Sequence, residues 1–285
     1  MQGTTVRRVG LVLAVATALT GVAACTSPDP SDGPGQEDRA AHRRSLATLR
    51  SAERATEHAE SARVESTTTM GSLMSMTADG TLGWSDGLTG VLTITYTGGT
   101  MADTMRRLGS TSMEARYLPD AYYARMGDTF AEQAGGRHWI RYAYEDLEAL
   151  TGGSGAPLGD QMRGTTPNQS VKLLLSSGDV RKVGEETVRG RTATHWSGTV
   201  AAADVADAGL RKQLTEAGVT TETVDIWIDE RNLLVKKVEK ARMTTGLMTQ
   251  TAHYADYGVA VRAERPPRSD TGDFEDLMRK QTGTP

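Results

Sequence analysis

The sequence predicts an α+β fold: one large curved antiparallel sheet whose concave face is covered by helices. Short segments rich in Thr, Val, Ile, Met and Tyr recur over 62–100, 112–142, 180–200 and 222–261, separated by Gly, Asp-Gly and Pro-Asp punctuation. Segments with helical spacing are few and stand before, between and after these runs, so the alternating βα units of a parallel sheet are missing. No cysteine follows Cys25, so the core has to hold without an internal disulfide, which a chain of this length can do. A single sheet of that size curls, and the helices are available to cover its hollow side.

The first element is a leader. Arg7 and Arg8 precede Val9 to Val22, a mostly apolar run weakened by Gly10, Thr17, Thr20 and Gly21. Those 14 residues are too few to span a bilayer, which takes about 20. The three-part pattern is that of a secretion signal. The run ends in Val22-Ala23-Ala24-Cys25, which matches the lipobox of bacterial lipoproteins. Small residues before the cut fit a narrow peptidase cleft, and the Cys25 thiol becomes the thioether to a diacylglyceryl group. Two acyl chains anchor stably where one does not. Residues 1–24 are therefore expected to be a signal peptide and Cys25 the lipid-attachment site, placing the protein on the outer, extracytoplasmic face of the cell membrane. Twin-arginine export through Arg7-Arg8 is disfavoured by the residues around that pair.

Residues 25–37 form a Pro/Gly/Ser/Asp tether that cannot bury a core. Residues 38–265 make the folded domain and 266–285 a tail. From Asp38 to Ala59 there is no Gly or Pro, and Leu46, Leu49, Ala52, Ala55 and Ala59 recur at spacings of three and four, which predicts a helix. Strands follow over 62–100, with turns expected at Gly71, Asp79-Gly80, Asp86-Gly87 and Gly98-Gly99. Further strands are expected at 112–118, 121–126 and 137–142, the first two joined by Pro119-Asp120. Residues 151–165 read as a Gly-rich loop. Thr166-Pro167 then opens a helix over 167–177 that buries Val171, Leu174 and Leu175. Strands at 180–188 and 191–200 turn at Arg189-Gly190, a helix spans 203–217 with Gly218 closing it, and strands fill 222–229, 233–242 and 247–261. Pro266-Pro267 ends the sheet, and 273–280 is a short terminal helix.

Two stretches carry a family resemblance. Val183-Gly184-Glu185-Glu186-Thr187-Val188-Arg189-Gly190 with Thr194-His195-Trp196-Ser197-Gly198-Thr199-Val200 resembles the LppX/LprG lipoproteins. So does Val224-Asp225-Ile226-Trp227-Ile228-Asp229 with Leu233-Leu234-Val235-Lys236-Lys237-Val238. That family is similar in architecture to the lipoprotein carriers LolA and LolB. The resemblance implies a LolA-like half-barrel whose helices close a hydrophobic cavity, and a non-catalytic carrier or chaperone that binds an acylated lipid or glycolipid.

Removing residues 1–24, which hold two arginines and no acids, takes the formal net charge from −4 to −6 and argues against nucleic acid as a partner. His42, His58, His138, His195 and His253 show no metal-ligand spacing, and no Gly-x-Ser-x-Gly elbow occurs; Gly152-Gly153-Ser154-Gly155 lies in the loop. No catalytic residue, metal or cofactor is assigned, and a monomer is expected. Met70, Met74, Met76, Met101, Met105 and Met113 make the first half methionine-rich. Core packing, an adaptable ligand lining or soft Cu(I) ligation are the alternatives. The expected ligand-binding residues are Met74, Met76, Leu92, Ile94, Tyr96 and Trp227, although either Trp227 or its neighbours Ile226 and Ile228 can face the cavity. Arg137-His138-Trp139-Ile140-Arg141-Tyr142 alternates basic and aromatic residues, as a headgroup contact or a solvated edge strand would. The competing function is a protein-interaction lipoprotein that docks a membrane or cell-wall partner and has no ligand cavity.

Overall fold

Alternation of buried and exposed residues is the local rule that shapes most of the chain, and it yields one twelve-stranded sheet. The computed structural model describes residues 34–146, 166–243 and 246–282. The predicted leader 1–24, Cys25 and the loop 151–165 lie outside them. The strands are β1 (Ser61–Met70), β2 (Met74–Gly83), β3 (Thr89–Gly98), β4 (Ser112–Tyr117), β5 (Ala121–Arg125), β6 (Trp139–Ala143), β7 (Arg181–Val188), β8 (Arg191–Ala201), β9 (Thr221–Asp229), β10 (Leu234–Met243), β11 (Gly246–Ala255) and β12 (Thr271–Asp273). The helices among the described residues are α1 (Pro34–His58), α2 (Gly99–Arg107), α3 (Asp128–Gln133), α4 (Pro167–Leu175), α5 (Ala208–Glu216) and α6 (Phe274–Thr282). The chain divides into two compact units, Met1–Asp38 and Arg39–Pro285, and the sheet belongs wholly to the second.

Two antiparallel meanders make the sheet, β1 to β6 and β7 to β11. They join where β1 pairs with β11, with Arg63 opposite Ala255 and Met70 opposite Met248. The hairpin between β7 and β8 turns on Arg189 and Gly190, both at positive φ (49° and 83°), the backbone a two-residue turn with native twist requires. The sheet is curved and does not close.

One face of the sheet and the helices share a single apolar cluster. Val64 and Ala62 of β1, Leu92 and Ile94 of β3, and Val224, Ile226 and Ile228 of β9 meet Leu49 and Ala52 of α1, Val171 and Leu174 of α4, and Leu210 of α5. We call this the inner face. Gly198 on β8 shows how tightly α4 seats: a Cβ there would stand 2.6 Å from Ser177 Oγ and 2.8 Å from Leu174 Cδ1. Pro167 occupies the first turn of α4, as the Thr166-Pro167 pair implied. The Asp207 carboxylate caps α5 by accepting from the Leu210 N–H at 2.9 Å.

The structure departs from the sequence expectations at six places. The first helix starts at Pro34 rather than Asp38. Asp79-Gly80 is no turn, because β2 runs through it; Gly80 sits at φ +156°, and a Cβ there would meet the Val91 carbonyl oxygen at 2.1 Å, so glycine is required by the approach of β3. Gly98-Gly99 leads into the helix α2 instead of a simple turn. The expected helix over 203–217 is a 3-10 turn at Ala202–Asp204 followed by α5, with Val205 buried at the break. The last long strand ends at Ala255, not 261. Pro266-Pro267 does not end the sheet, since Thr271–Asp273 returns as β12, parallel to β6. Segment 137–142 is therefore no edge strand: β6 lies between β5 and β12.

Between β11 and β12, residues 256–270 form a strap across one end of the first meander. Gly258 N–H donates to the Ser61 carbonyl at 3.0 Å, and Ser61 Oγ donates to the Val259 carbonyl at 2.7 Å. Farther along, Arg116 Nη1 donates to the Glu264 carbonyl at 2.8 Å. Asp270 Oδ1 accepts from the His138 backbone N–H at 2.8 Å.

Candidate functional site

The register of β2 and β3 decides where the expected ligand residues point. Met76 stands opposite Tyr96, Ala78 opposite Ile94 and Gly80 opposite Leu92, so Met76, Leu92, Ile94 and Tyr96 share the inner face. They are not equivalent. Leu92 and Ile94 are core residues, each 6 % exposed, whereas Met76 and Tyr96 are half-buried and pack against the core's margin. Met74 lies two residues earlier at the strand end and is half-buried outside that cluster. Met113, Met126 and Tyr142 join the margin from β4, the β5 exit and β6. Sequence reasoning did not place Met126 or Tyr142 there, since the β5–β6 connection carries no periodicity that announces it. Tyr142 continues an aromatic chain, 5.7 Å from Tyr122 and 4.7 Å from Phe274 between ring centroids. Burial pushes the Tyr142 phenol up to about 12 and also raises Tyr96, so both stay neutral hydroxyls at physiological pH.

Trp227 is elsewhere. Ile226 and Ile228 face inward, and Trp227 belongs to a separate outer cluster with Val188, Ala193 and Val235. Its ring stacks on His195 with centroids 4.1 Å apart, and Lys236 Nζ lies 3.9 Å from the ring centre on β10. His195 bridges two carboxylates, Glu186 through Nδ1 and Asp225 through Nε2, both at 2.9 Å, and the Trp227 indole N–H donates to Glu186 at 2.8 Å. The six expected residues thus do not converge on one surface. The outer cluster clamps β7, β8 and β9 together, and both His195 nitrogens are used in doing so. Among the described residues no group of His, Asp and Glu is arranged to hold a metal ion.

A polar band crosses the inner face. Glu239 on β10 pairs with Gln250 on β11, Gln250 with Thr68 on β1, and Thr68 with Met76 on β2. Lys237 and Glu239 form a buried ion pair at 2.8 Å, exposed by 7 % and 6 %. Glu222 on β9, 3 % exposed, lies near them. Burial, and then the Glu239 carboxylate, push the Glu222 carboxyl up to about 8, although Lys237 pulls the other way. Glu222 is therefore mostly uncharged at neutral pH. The inner face is amphipathic: a polar band from Glu222 to Thr68 crosses an otherwise apolar surface, which is part-open across β2 to β6.

An open curved sheet with helices packed on its inner face defines a half-barrel fold. The structure is similar to the crystal structure of lipoprotein LppX from Mycobacterium tuberculosis, at TM-score 0.50 and 16 % identity over 78 % of this chain and 99 % of that one. It is similar to LprF from Mycobacterium bovis at TM-score 0.51 and 14 % identity, over 79 % and 97 %. No family model matches the sequence. The chain belongs to the family of the Streptomyces coelicolor protein named "Putative lipoprotein SCO4650", with which it is 58 % identical over 99 % of both chains. A Streptomyces griseus relative, an uncharacterized 31.2 kDa protein from the rplA-rplJ intergenic region, is 51 % identical over 84 % of this chain and 82 % of its own length.

Proposed function

We propose that this protein is a membrane-tethered, non-catalytic carrier that binds the acyl chains of a lipid or glycolipid between the helices and the inner face of its sheet. The observation that carries the reading is the uneven cover of that face. Leu174 of α4, Ile226 and Leu234 are fully enclosed, while Met76, Tyr96, Met113, Met126 and Tyr142 remain half-buried. Apolar side chains that pack on one side only are a surface for an apolar guest, and methionine re-packs around varied shapes. Each CH₂ placed there contributes roughly 0.8 kcal/mol. The polar band of Glu239, Gln250 and Thr68 adjoins Met76 and suits the polar end of an amphiphile. Cys25 would supply the anchor, and the outer leaflet of the cell membrane the source of ligand. Trp227, on the opposite face, has no part in this reading.

The test narrows the margin without touching the core. Ile94 is unsuitable because it is buried, and overpacking there costs stability. Met76→Trp and Met113→Trp should each lower uptake of a fluorescent fatty acid several-fold while the circular dichroism spectrum stays that of wild type. Wild-type protein that takes up no acyl probe and carries no lipid after purification overturns the carrier reading and leaves a protein-docking lipoprotein in its place.

A further inference from the structure

On the outer face, between the strap and the β5–β6–β12 corner, lies a groove of about 520 Å³ lined by Tyr123, Arg141, Arg265, Pro266, Arg268, Thr271 and Asp273. That is within the size range of small-ligand sites. Its three guanidiniums come from β6 (Arg141) and from two places on the strap, Arg265 in its course and Arg268 in the turn that leads into β12. Two are held in place. Arg141 Nη1 meets Asp273 at 3.0 Å and Asp146 at 3.9 Å. Arg265 donates to Asp120 at 2.7 Å and to the Tyr123 hydroxyl oxygen at 3.0 Å. The phenol oxygen accepts from Arg265, which leaves its own O–H free to donate. Arg268 is exposed and has no ion-pair partner among the described residues.

We propose that this groove binds a singly charged phosphodiester, the chemistry of an anionic phospholipid headgroup. Donors from Arg141, Arg265, Arg268 and Tyr123 surround it from several sides, which suits a tetrahedral oxyanion better than a planar carboxylate. Three arginines face three carboxylates, Asp273 in the lining and Asp120 and Asp146 flanking it, so the formal charges balance. Arg141 and Arg265 are already paired. Arg268, which meets no carboxylate among the described residues, offers the one uncompensated guanidinium, which suits a monoanion, and it is the group that carries the affinity. The site is separate from the inner face, so it stands or falls independently of acyl binding.

The experiment uses the full chain in a non-ionic detergent and two probes without acyl chains, glycerophosphoglycerol and inorganic phosphate, titrated calorimetrically at pH 7 and low salt. Wild type should bind glycerophosphoglycerol. Arg268→Glu should weaken that binding by about tenfold or more, and Arg268→Lys by less, because the charge remains while the planar fork is lost. Both variants should keep the wild-type circular dichroism spectrum, since Arg268 is exposed. Inorganic phosphate bound as tightly as the diester, with the same loss in Arg268→Glu, would keep the anion site and make free phosphate its source. No binding of either probe by wild type, or undiminished binding by Arg268→Glu, overturns the proposal.

Discussion

At the level of single residues, Glu222 sets a pH response that the rest of the inner face has to accommodate. Its carboxyl titrates near 4.5 when unperturbed and is pushed up to about 8 in the folded protein. Between those two values the folded state keeps a proton that the unfolded chain has released. The contribution to stability is therefore full below 4.5 and is lost as pH rises through 8. Wild type should melt at progressively lower temperature from pH 5 to pH 8.5, and Glu222→Gln should remove much of that decline. The gain for the variant at pH 8.5 should exceed its gain at pH 5 by ~2–4 °C or more, the shift expected for about 1 kcal/mol at this size. An equal slope in both proteins, by differential scanning calorimetry, would assign the pH response to another group. None of this was readable in the sequence, because Glu222 stands in Thr221-Glu222-Thr223-Val224 as an ordinary alternating strand residue; only its burial in the folded sheet, with the Glu239 carboxylate nearby, makes it a weak acid.

Among elements, β12 is short and held by few bonds: three residue pairs to β6, Asp273 on Arg141 at 3.0 Å and, just before the strand, a clamp of Asp270 on the His138 N–H and ring, each at 2.8 Å. Asp270→Ala should loosen this corner alone. Amide exchange at Arg141 and Tyr142 should speed up, exchange in β9 should not change, and the melting temperature should fall by ~2–4 °C, consistent with one lost charge-assisted bond worth about 1–2 kcal/mol. Unaltered exchange in β6 would show that β12 does not depend on the clamp. The same corner marks where sequence reading stops. The long strands and α4 were readable because apolar alternation and the Thr166-Pro167 start are local signals. Thr271-Gly272-Asp273 has no strand character of its own and becomes one by docking on β6. The helix α2 hid behind Gly98-Gly99, which reads as a turn, and Asp79-Gly80 read as a turn because a glycine required by close strand approach looks the same in sequence as one required by a bend. On the inner face, period two put Leu92, Ile94 and Tyr96 on one side of their strand and Met74 with Met76 on one side of theirs, but burial of Leu92 and Ile94 and the outward aim of Trp227 follow from which helices cover which strands. The Gly-rich segment that follows β6 in the sequence lies outside the described residues.

For the whole molecule, anchoring and folding are separate matters. None of the described helices is long and apolar enough to cross a membrane. The proposed means of attachment is a lipid on Cys25. Cys25→Ser should move the protein from the membrane fraction to the soluble fraction, and intact-mass measurement of wild type should show acylation at that residue. A wild-type N-terminus that is unacylated and begins elsewhere would remove the anchor from this account. The folded unit itself guards its two free edges differently, with Lys182, Glu185 and Glu186 along β7 and with the brevity of β12 at the other end.

The strap has a consequence in time rather than in space. Ser61 is bonded to Val259, 198 residues later, and Arg116 to Glu264, 148 residues later. The strand that flanks β1 on its free side, β11, is likewise among the last made. A ribosome delivers β1 to β6 first, and through most of synthesis that meander has neither its outer neighbour β12 nor its inner neighbour β11. It waits with two unsatisfied strand borders, the form in which chains pair with the wrong partner. Local hairpins can assemble early, but completion belongs to the final stretch of chain, so folding should be slow for the protein's size. A nascent chain cut short before Glu264 would be a strong client for a holding chaperone.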